Sequence, residues 1–225
     1  MRAMPSEASR PGDWFARHRG LAPLLLIAIV LAVYRNSFSG AFLFDDLSDI
    51  VGNPNLRPGT PLGIMLRRAQ RPVVDLTLFA NRAIGGLDVF GYHAVNVAIH
   101  LLAALTLWAL IRRTLRLPSL GRRWGSVSDG IAWAAAVLWA IHPLQTESVT
   151  YLIQRAESLA GLWYFLTLYG LVRAAESPRR RWAALAVASC ALGMATKPVM
   201  ATAPLAAMLF DRCLIAGSWR TVFAR

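Results

Sequence analysis

The sequence has almost no lysine and little charge of any kind. Lys197 is the single lysine among 24 basic residues, and charged residues make up only 16% of the 225-residue chain. Soluble domains carry about 25% charge and are about 45–50% apolar, whereas 56% of this chain is hydrophobic. The scarcity of charge therefore argues against a soluble globular fold and favours a polytopic membrane protein.

Cysteine is also scarce, and the motifs of nucleic-acid-binding proteins are missing. Cys190 and Cys213 both lie in apolar runs, so they provide no disulfide framework. The net charge of +12 is typical of proteins that bind nucleic acid, but the arginines fall in short runs between apolar segments. We therefore expect no nucleic-acid partner.

Long apolar runs predict an all-α membrane helix bundle with about six transmembrane helices, forming a single domain over residues 1–225. The predicted spans are residues 20–37, 92–111, 127–142, 158–175, 182–197 and 199–215. The first run is long for a signal peptide and further spans follow it, so we expect a retained helix.

The distribution of basic residues predicts the orientation, because cytoplasmic loops are enriched in arginine and lysine. With the N-terminus in the cytoplasm, sixteen of the 24 basic residues fall on the inner side. Residues 38–91 then form one long extracytoplasmic loop, in which LGIMLRRAQ and VVDLTLFANRAI suit short interfacial helices. We expect a multi-pass protein of the bacterial inner membrane whose functional face is extracytoplasmic.

The outer loop begins with an acidic cluster in the stretch FLFDDLSDI. Asp45 and Asp46 are adjacent and Asp49 follows three residues later, although like charges this close repel each other. A carboxylate in this position is suited to deprotonate an acceptor hydroxyl. Asp45 and Asp46 are therefore the candidate catalytic residues.

Polar residues inside the second span form one helical face. His93, Asn96 and His100 stand at i, i+3 and i+7 in GYHAVNVAIH. Interhelical hydrogen bonding would explain this stripe, and so would a direct role in a site. On the second interpretation His93 and Asn96 are candidates for substrate binding.

A second polar face is predicted after the third span, in HPLQTESVTYLIQRAESLAG. Pro143 suits the first turn of a new helix. The residues that would share one face of this helix are Glu147, Tyr151, Gln154 and Ser158. We expect the face to line a wet cavity, and a solvated interfacial helix is the alternative.

The remaining candidates for substrate binding are His142, Glu147, Arg155 and Lys197, all predicted at the outer ends of spans. Lys197 either extends to lipid headgroups or binds an anion. Acids beside bases at a membrane interface suit a charged, lipid-linked substrate, because Arg or Lys can hold a phosphate leaving group and stabilise its charge. We therefore predict one hollow shared by these residues and the aspartate pair.

Taken together, the motifs resemble the GT-C integral-membrane glycosyltransferases, and most closely the transmembrane and tetratricopeptide-repeat O-mannosyltransferases. The resemblance rests on FDD with a downstream NPN, RPVVDLTLFAN, GYHAVNVAIH, HPLQTESVTYLIQRAESLAG and TKP, in this order over about residues 15–215. Members of that family usually continue with further spans and a tail of helical repeats. We therefore expect residues 1–225 to be the N-terminal portion of such a module.

The resemblance implies a polyprenyl-phosphate-linked sugar donor, an extracytoplasmic site, and inverting transfer of a sugar, mannose by analogy, to a hydroxyl. The acceptor would be Ser or Thr of a protein, or a glycan, and Asp45 or Asp46 would be the base. No cofactor and no divalent metal are predicted, since two adjacent carboxylates are the only visible ligand set. The alternative from another class is a non-catalytic membrane scaffold or a transport partner in envelope assembly.

Overall fold

A computed structural model of the chain describes residues 20–177 and 179–224, and these ranges are helical without any β-strand. Some of the basic residues that support the predicted orientation lie outside the described residues. They are Arg2, Arg10, Arg17, Arg19 and Arg225. The all-α class predicted from the apolar runs is confirmed for the described ranges.

The helices are joined by short 3₁₀ and π-helical turns. In the first part of the chain they are α1 (Leu21–Tyr34), α2 (Leu62–Arg68), α3 (Pro72–Gly85), α4 (Val89–Thr114), α5 (Gly121–Trp124) and α6 (Ser128–Ala140). In the second part they are α7 (Thr146–Thr150), α8 (Arg155–Glu176), α9 (Arg180–Met194), α10 (Ala203–Phe210) and α11 (Trp219–Phe223). Residues 38–91, the predicted extracytoplasmic loop, therefore contain two helices, α2 and α3, where short helices are predicted.

Three helical segments in the described ranges are long and apolar enough to cross a membrane. They are Leu21–Ser39, Val89–Thr114 and Pro198–Ala216. A fourth is present if Gly121–Ala140 and Pro143–Thr150, which are bent by 54° relative to each other, form one broken span. These helices identify the chain as a membrane protein. The predicted count of about six spans is not confirmed.

The difference in span count comes from α8 and α9. With 15 residues, α9 rises about 22 Å, which is less than the roughly 30 Å thickness of the hydrocarbon core. The 22 residues of α8 are sufficient in length, but charged residues at both ends and several glycine, tyrosine and tryptophan residues lower its hydropathy. An uncharged run in the sequence is therefore a weaker criterion than an apolar helix of sufficient length.

The centre of the bundle is formed by α4 and α8. Helix α4 packs against α6 and α8, and α8 packs in turn against α9. Helices α8 and α9 approach each other closely at Gly170, where a Cβ atom would lie 2.8 Å from the backbone nitrogen of Ala186 in α9. Only glycine allows two helix backbones to come this close, as in other membrane helix pairs.

The polar stripe of α4 points into the bundle, as expected from the cost of exposing polar groups to lipid. His93, Asn96 and His100 are all buried. The Nε2 atom of His100 lies 2.8 Å from the carbonyl oxygen of Ala140, to which the Tyr34 hydroxyl also donates. These bonds connect α1, α4 and α6.

Candidate functional site

The two adjacent aspartates have different surroundings. The Asp46 side chain is buried, and its two carboxylate oxygens accept hydrogen bonds from the backbone N–H groups of Leu43, at 3.1 Å, and Ile153, at 2.8 Å. Burial raises the pKa of the Asp46 carboxyl, and the two amide hydrogen bonds oppose that rise. Asp46 therefore fastens the outer loop to a segment 107 residues further along the chain.

Asp45 is exposed and stands beside Tyr151. Its backbone N–H donates to the Tyr151 hydroxyl at 3.0 Å, and the ring of the preceding residue, Phe44, lies edge-on to the tyrosine ring. Phe44 has a φ of 47°, a left-handed conformation that costs a non-glycine residue about 1–3 kcal/mol. This turn directs the Asp46 side chain into the protein interior and leaves the Asp45 side chain at the surface. The two neighbouring carboxylates therefore have different environments.

Arg155 lies at the centre of a buried hydrogen-bond network. It donates through Nε to Asn96 and through its two terminal nitrogens to Thr77, Asn81 and the carbonyl oxygen of Tyr92. The side chain has no exposed surface. The network connects α3, α4 and α8, so Arg155 holds the bundle together in this structure. Contact of Arg155 with a donor phosphate stays a prediction, and it would require these bonds to open.

The other candidates on α4 are also enclosed. Asn96 accepts from Arg155 and donates to the carbonyl oxygens of Val149 and Leu152. His93 is buried against Gly40, where a Cβ atom would lie 2.7 Å from Nε2 of the histidine. Gly40 has an extended backbone and packs closely onto His93. This contact positions the segment that immediately precedes the acidic motif. Substrate binding by His93 and Asn96 stays a prediction.

The polar face predicted as one helix is divided in the structure. Helix α7 ends at Thr150, a 3₁₀ turn covers Leu152–Gln154, and α8 begins at Arg155. The prediction of a continuous helix is therefore wrong, because the Ile153 N–H bonds to Asp46 instead of continuing a helical ladder.

A cavity of about 400 Å³ nevertheless lies along this segment. Three of the four predicted face residues line it, together with the aromatic rings of Trp139 and Phe165. These three are Glu147, Gln154 and Ser158. The Gln154 amide donates to the Glu147 carboxylate at 3.2 Å. Carboxylate, amide and aromatic groups in one cavity are suited to bind a polar ligand that has hydroxyl groups.

Lys197 stands at the same end of the bundle. It forms an ion pair with Glu157, which also lines the 400 Å³ cavity. A hydrogen bond from the Val73 N–H to the Ala195 carbonyl brings the start of α3 beside this segment. His142 is exposed, and its Nδ1 accepts from the Leu144 N–H, so it caps the turn that follows α6. Glu157 was not among the residues selected from the sequence, because its partner is 40 residues away.

A second cavity, of about 320 Å³, lies on the other side of Ile153. Its charged lining consists of Asp49 from the acidic cluster with Arg68, Arg71 and Asp75 from α2, α3 and the turn between them. Neither Asp45 nor Asp46 lines this cavity or the 400 Å³ cavity, so neither cavity is the predicted hollow that the aspartate pair shares with the other candidates. Two cavities flank the Leu152–Gln154 turn, and Asp46 is hydrogen-bonded to that turn. Arg68 and Arg71 were not selected from the sequence, although the charged stretch RRAQR was the signal for them.

The fold, the acidic motif and the two cavities define a helical membrane protein with an acidic segment and two cavities lined by charged residues. Its relatives identify the family more closely. The chain is 33% identical to Protein O-mannosyl-transferase Tmtc3 of Drosophila melanogaster over an alignment of 205 positions, which covers 79% of this chain and 22% of that protein.

Similar values are found for two mammalian proteins. Protein O-mannosyl-transferase TMTC1 of Homo sapiens is 32% identical over 70% of this chain and 19% of its own length. Protein O-mannosyl-transferase TMTC2 of Mus musculus is 33% identical over 66% of this chain and 18% of its own length. The chain spans about a fifth of the length of these relatives.

The resemblance deduced from the motifs is therefore confirmed, and this chain is a relative of the transmembrane and tetratricopeptide-repeat protein family. No protein-family model matches the chain, and no solved structure matches it either. The relatives named above are animal proteins, so they lend no support to the predicted bacterial inner membrane.

Proposed function

We propose that this chain forms the catalytic part of a glycosyltransferase that moves mannose from a polyprenyl-phosphate donor to a Ser or Thr hydroxyl of a protein. The observation that carries the proposal is the position of Asp45, an exposed carboxylate on a strained turn whose backbone N–H bonds to the Tyr151 hydroxyl. Ser48 and Asp49, which follow it in the chain, line the 320 Å³ cavity. The names of the relatives support the choice of sugar and of a protein acceptor.

The reaction assigns a role to each half of the acidic pair. Asp45 takes the proton of the acceptor hydroxyl while the hydroxyl oxygen attacks the anomeric carbon of the mannose. The bond from that carbon to the phosphate oxygen breaks, with inversion at the carbon. The polyprenyl phosphate leaves with the bonding electrons. Asp46 acts as a positioning residue, because its carboxylate is occupied by the Leu43 and Ile153 amides.

Cations that line or adjoin the two cavities are suited to the leaving phosphate. Arg68 and Arg71 line the 320 Å³ cavity, and Lys197 stands beside the 400 Å³ cavity in its ion pair with Glu157. A positively charged group close to the departing oxygen stabilises the charge that develops there. The exposed apolar side chains of the motif, including Leu43, Phe44 and Leu47, suit contact with membrane lipid and the polyprenyl chain.

The proposed site lies on the extracytoplasmic face, with the N-terminus in the cytoplasm and the protein in a bacterial inner membrane. The bias of arginine and lysine between the two sides supports this orientation. The reaction is proposed for the full-length protein, because this chain spans only about a fifth of the length of its relatives.

Substitution of the two aspartates tests the proposal. Asp45→Asn removes the base but keeps the size of the side chain, so we expect turnover to fall roughly 10²–10⁴-fold while donor binding is retained. The assay uses the full-length protein, polyprenyl-phosphate-mannose and an acceptor peptide rich in Ser and Thr. Asp88→Asn is the matched control, since an asparagine at that position still caps α4 through the Phe90 N–H.

The result for Asp46→Asn separates positioning from chemistry. An amide can accept from only one of the two backbone N–H groups, so this variant should lose stability as well as rate. If Asp45→Asn and Asp46→Asn both kept wild-type turnover, the acidic pair would be structural, and the scaffold alternative would become the leading interpretation.

A further inference from the structure

The end of the bundle opposite the acidic motif carries a second cluster of charged groups, which the proposed reaction does not use. Four arginines meet where α4 and α8 end and α6 begins: Arg112, Arg113, Arg116 and Arg173. Asp129 forms ion pairs with Arg112 and Arg116, and Glu176 forms ion pairs with Arg113 and Arg173. Four guanidinium groups against two carboxylates leave this cluster positively charged.

A cavity of about 260 Å³ opens between α4 and α8 within the cluster. Its lining includes Arg112 and Arg113 from the last turn of α4 and Arg116 from the turn after it, with Tyr169 and Glu176 from α8. Arg113 donates to Glu176 through one terminal nitrogen. Arg116 donates through Nε to Ser128 and through one terminal nitrogen to Asp129. Both side chains are more than a third exposed, so their remaining N–H groups are accessible from the cavity.

The depth of this cavity in the membrane follows from the length of α4. Its 26 residues rise about 39 Å, whereas the hydrocarbon core is about 30 Å thick. The last turn of α4 therefore extends to the level of the lipid headgroups. Trp124 and Trp182 stand at the same end, each with an arginine over its ring, and tryptophan is enriched at that level.

We propose that this cavity binds the phosphate group of an anionic lipid headgroup, with Arg113 and Arg116 as the principal donors. The planar guanidinium group can form two parallel hydrogen bonds to a phosphate, and a bound anion balances the excess positive charge of the cluster. Basic pockets between membrane helices bind anionic headgroups in this way. The site is remote from the acidic motif, so it is independent of the proposed reaction.

Native mass spectrometry of the full-length protein in detergent tests the proposal. Titration with phosphatidylglycerol should show one saturable site, and phosphatidylcholine should bind much more weakly. Arg113→Gln should weaken the binding of phosphatidylglycerol about tenfold, the loss expected for one hydrogen bond to a charged group. The matched control is Arg122→Gln, which removes the same charge from an exposed residue at the same end that does not line the cavity.

The outcomes distinguish a lipid from a free anion and from a folding defect. Arg113→Lys keeps the charge and the partner Glu176 but loses the planar fork, so it should bind with intermediate affinity. Equal binding of the two lipids, equal effects of Arg113→Gln and Arg122→Gln, or wild-type binding by both Arg113 variants would overturn the proposal. Displacement of phosphatidylglycerol by millimolar inorganic phosphate would assign the cavity to a free phosphate and would overturn the lipid assignment.

Discussion

At the scale of single residues, the most informative side chain is Arg155, a cation without exposed surface in the middle of a membrane bundle. Its hydrogen bonds go to neutral groups, namely two side-chain amides, the Thr77 hydroxyl and one backbone carbonyl. A buried charge is tolerated only when its donors are satisfied. The identity of the partners therefore explains why this arginine is retained in the interior.

Arg155→Lys should destabilise the fold although it keeps the charge. A lysine ammonium cannot reach the same set of acceptors as the guanidinium fork, so buried acceptors lose their donors. We expect the free energy of unfolding to fall by about 2–3 kcal/mol, which lowers the thermal midpoint by roughly 5–10 °C. Tryptophan fluorescence in detergent measures this midpoint, and Arg122→Lys at an exposed position is the control. Equal midpoints for the two variants would contradict the proposed structural role.

Asp46 makes the stability depend on pH. Burial raises the pKa of this carboxyl in the folded protein above its ordinary value of 3.8. The protonated form is thus favoured by folding, so its stabilising contribution is complete below pH 3.8 and is lost as the pH rises through the folded pKa. The unfolding midpoint of the wild type should therefore fall relative to that of Asp46→Asn as the pH is raised from 4 to 7. A difference that is constant or grows with pH would contradict the effect of burial.

At the scale of elements, the interface between α8 and α9 depends on one glycine. Gly170→Ala places a methyl group 2.8 Å from the backbone of Ala186, so the two helices must separate and the protein should become less stable. Gly161→Ala in the same helix is the matched control, because no atom lies within 4 Å of its Cβ position and alanine favours a helix by about 1 kcal/mol. Thermal unfolding should show opposite shifts for the two variants. A loss for Gly161→Ala equal to that of Gly170→Ala would contradict the packing explanation.

The turn between α7 and α8 shows why local periodicity does not predict this element. The sequence from Pro143 to Gly161 is compatible with one helix, yet Tyr151 is extended and the helix is interrupted there. The interruption frees the Ile153 N–H for Asp46 and the Leu152 carbonyl for Asn96. Both partners come from distant parts of the chain, so no local pattern reveals them.

At the scale of the whole molecule, the orientation can be tested directly. In a background with Cys190→Ala and Cys213→Ala, we expect Asn55→Cys to react with an impermeant thiol reagent applied from outside. Arg122→Cys should react only after the membrane is permeabilised, because the positive loops are retained in the cytoplasm. Labelling of Arg122→Cys alone from outside would reverse the orientation and place the acidic motif in the cytoplasm.

The amino-acid sequence by itself determined the helical class, the burial of the His93, Asn96 and His100 stripe and the family relationship. These features depend on composition, helical period and residue order, which are local or additive properties. The tertiary structure alone decided which aspartate is buried and which acceptors bind the Arg155 guanidinium. It also decided that two cavities flank the Leu152–Gln154 turn. Burial and hydrogen bonding at these positions depend on partners up to 107 residues away, and contacts at that separation exist only once the helices have packed.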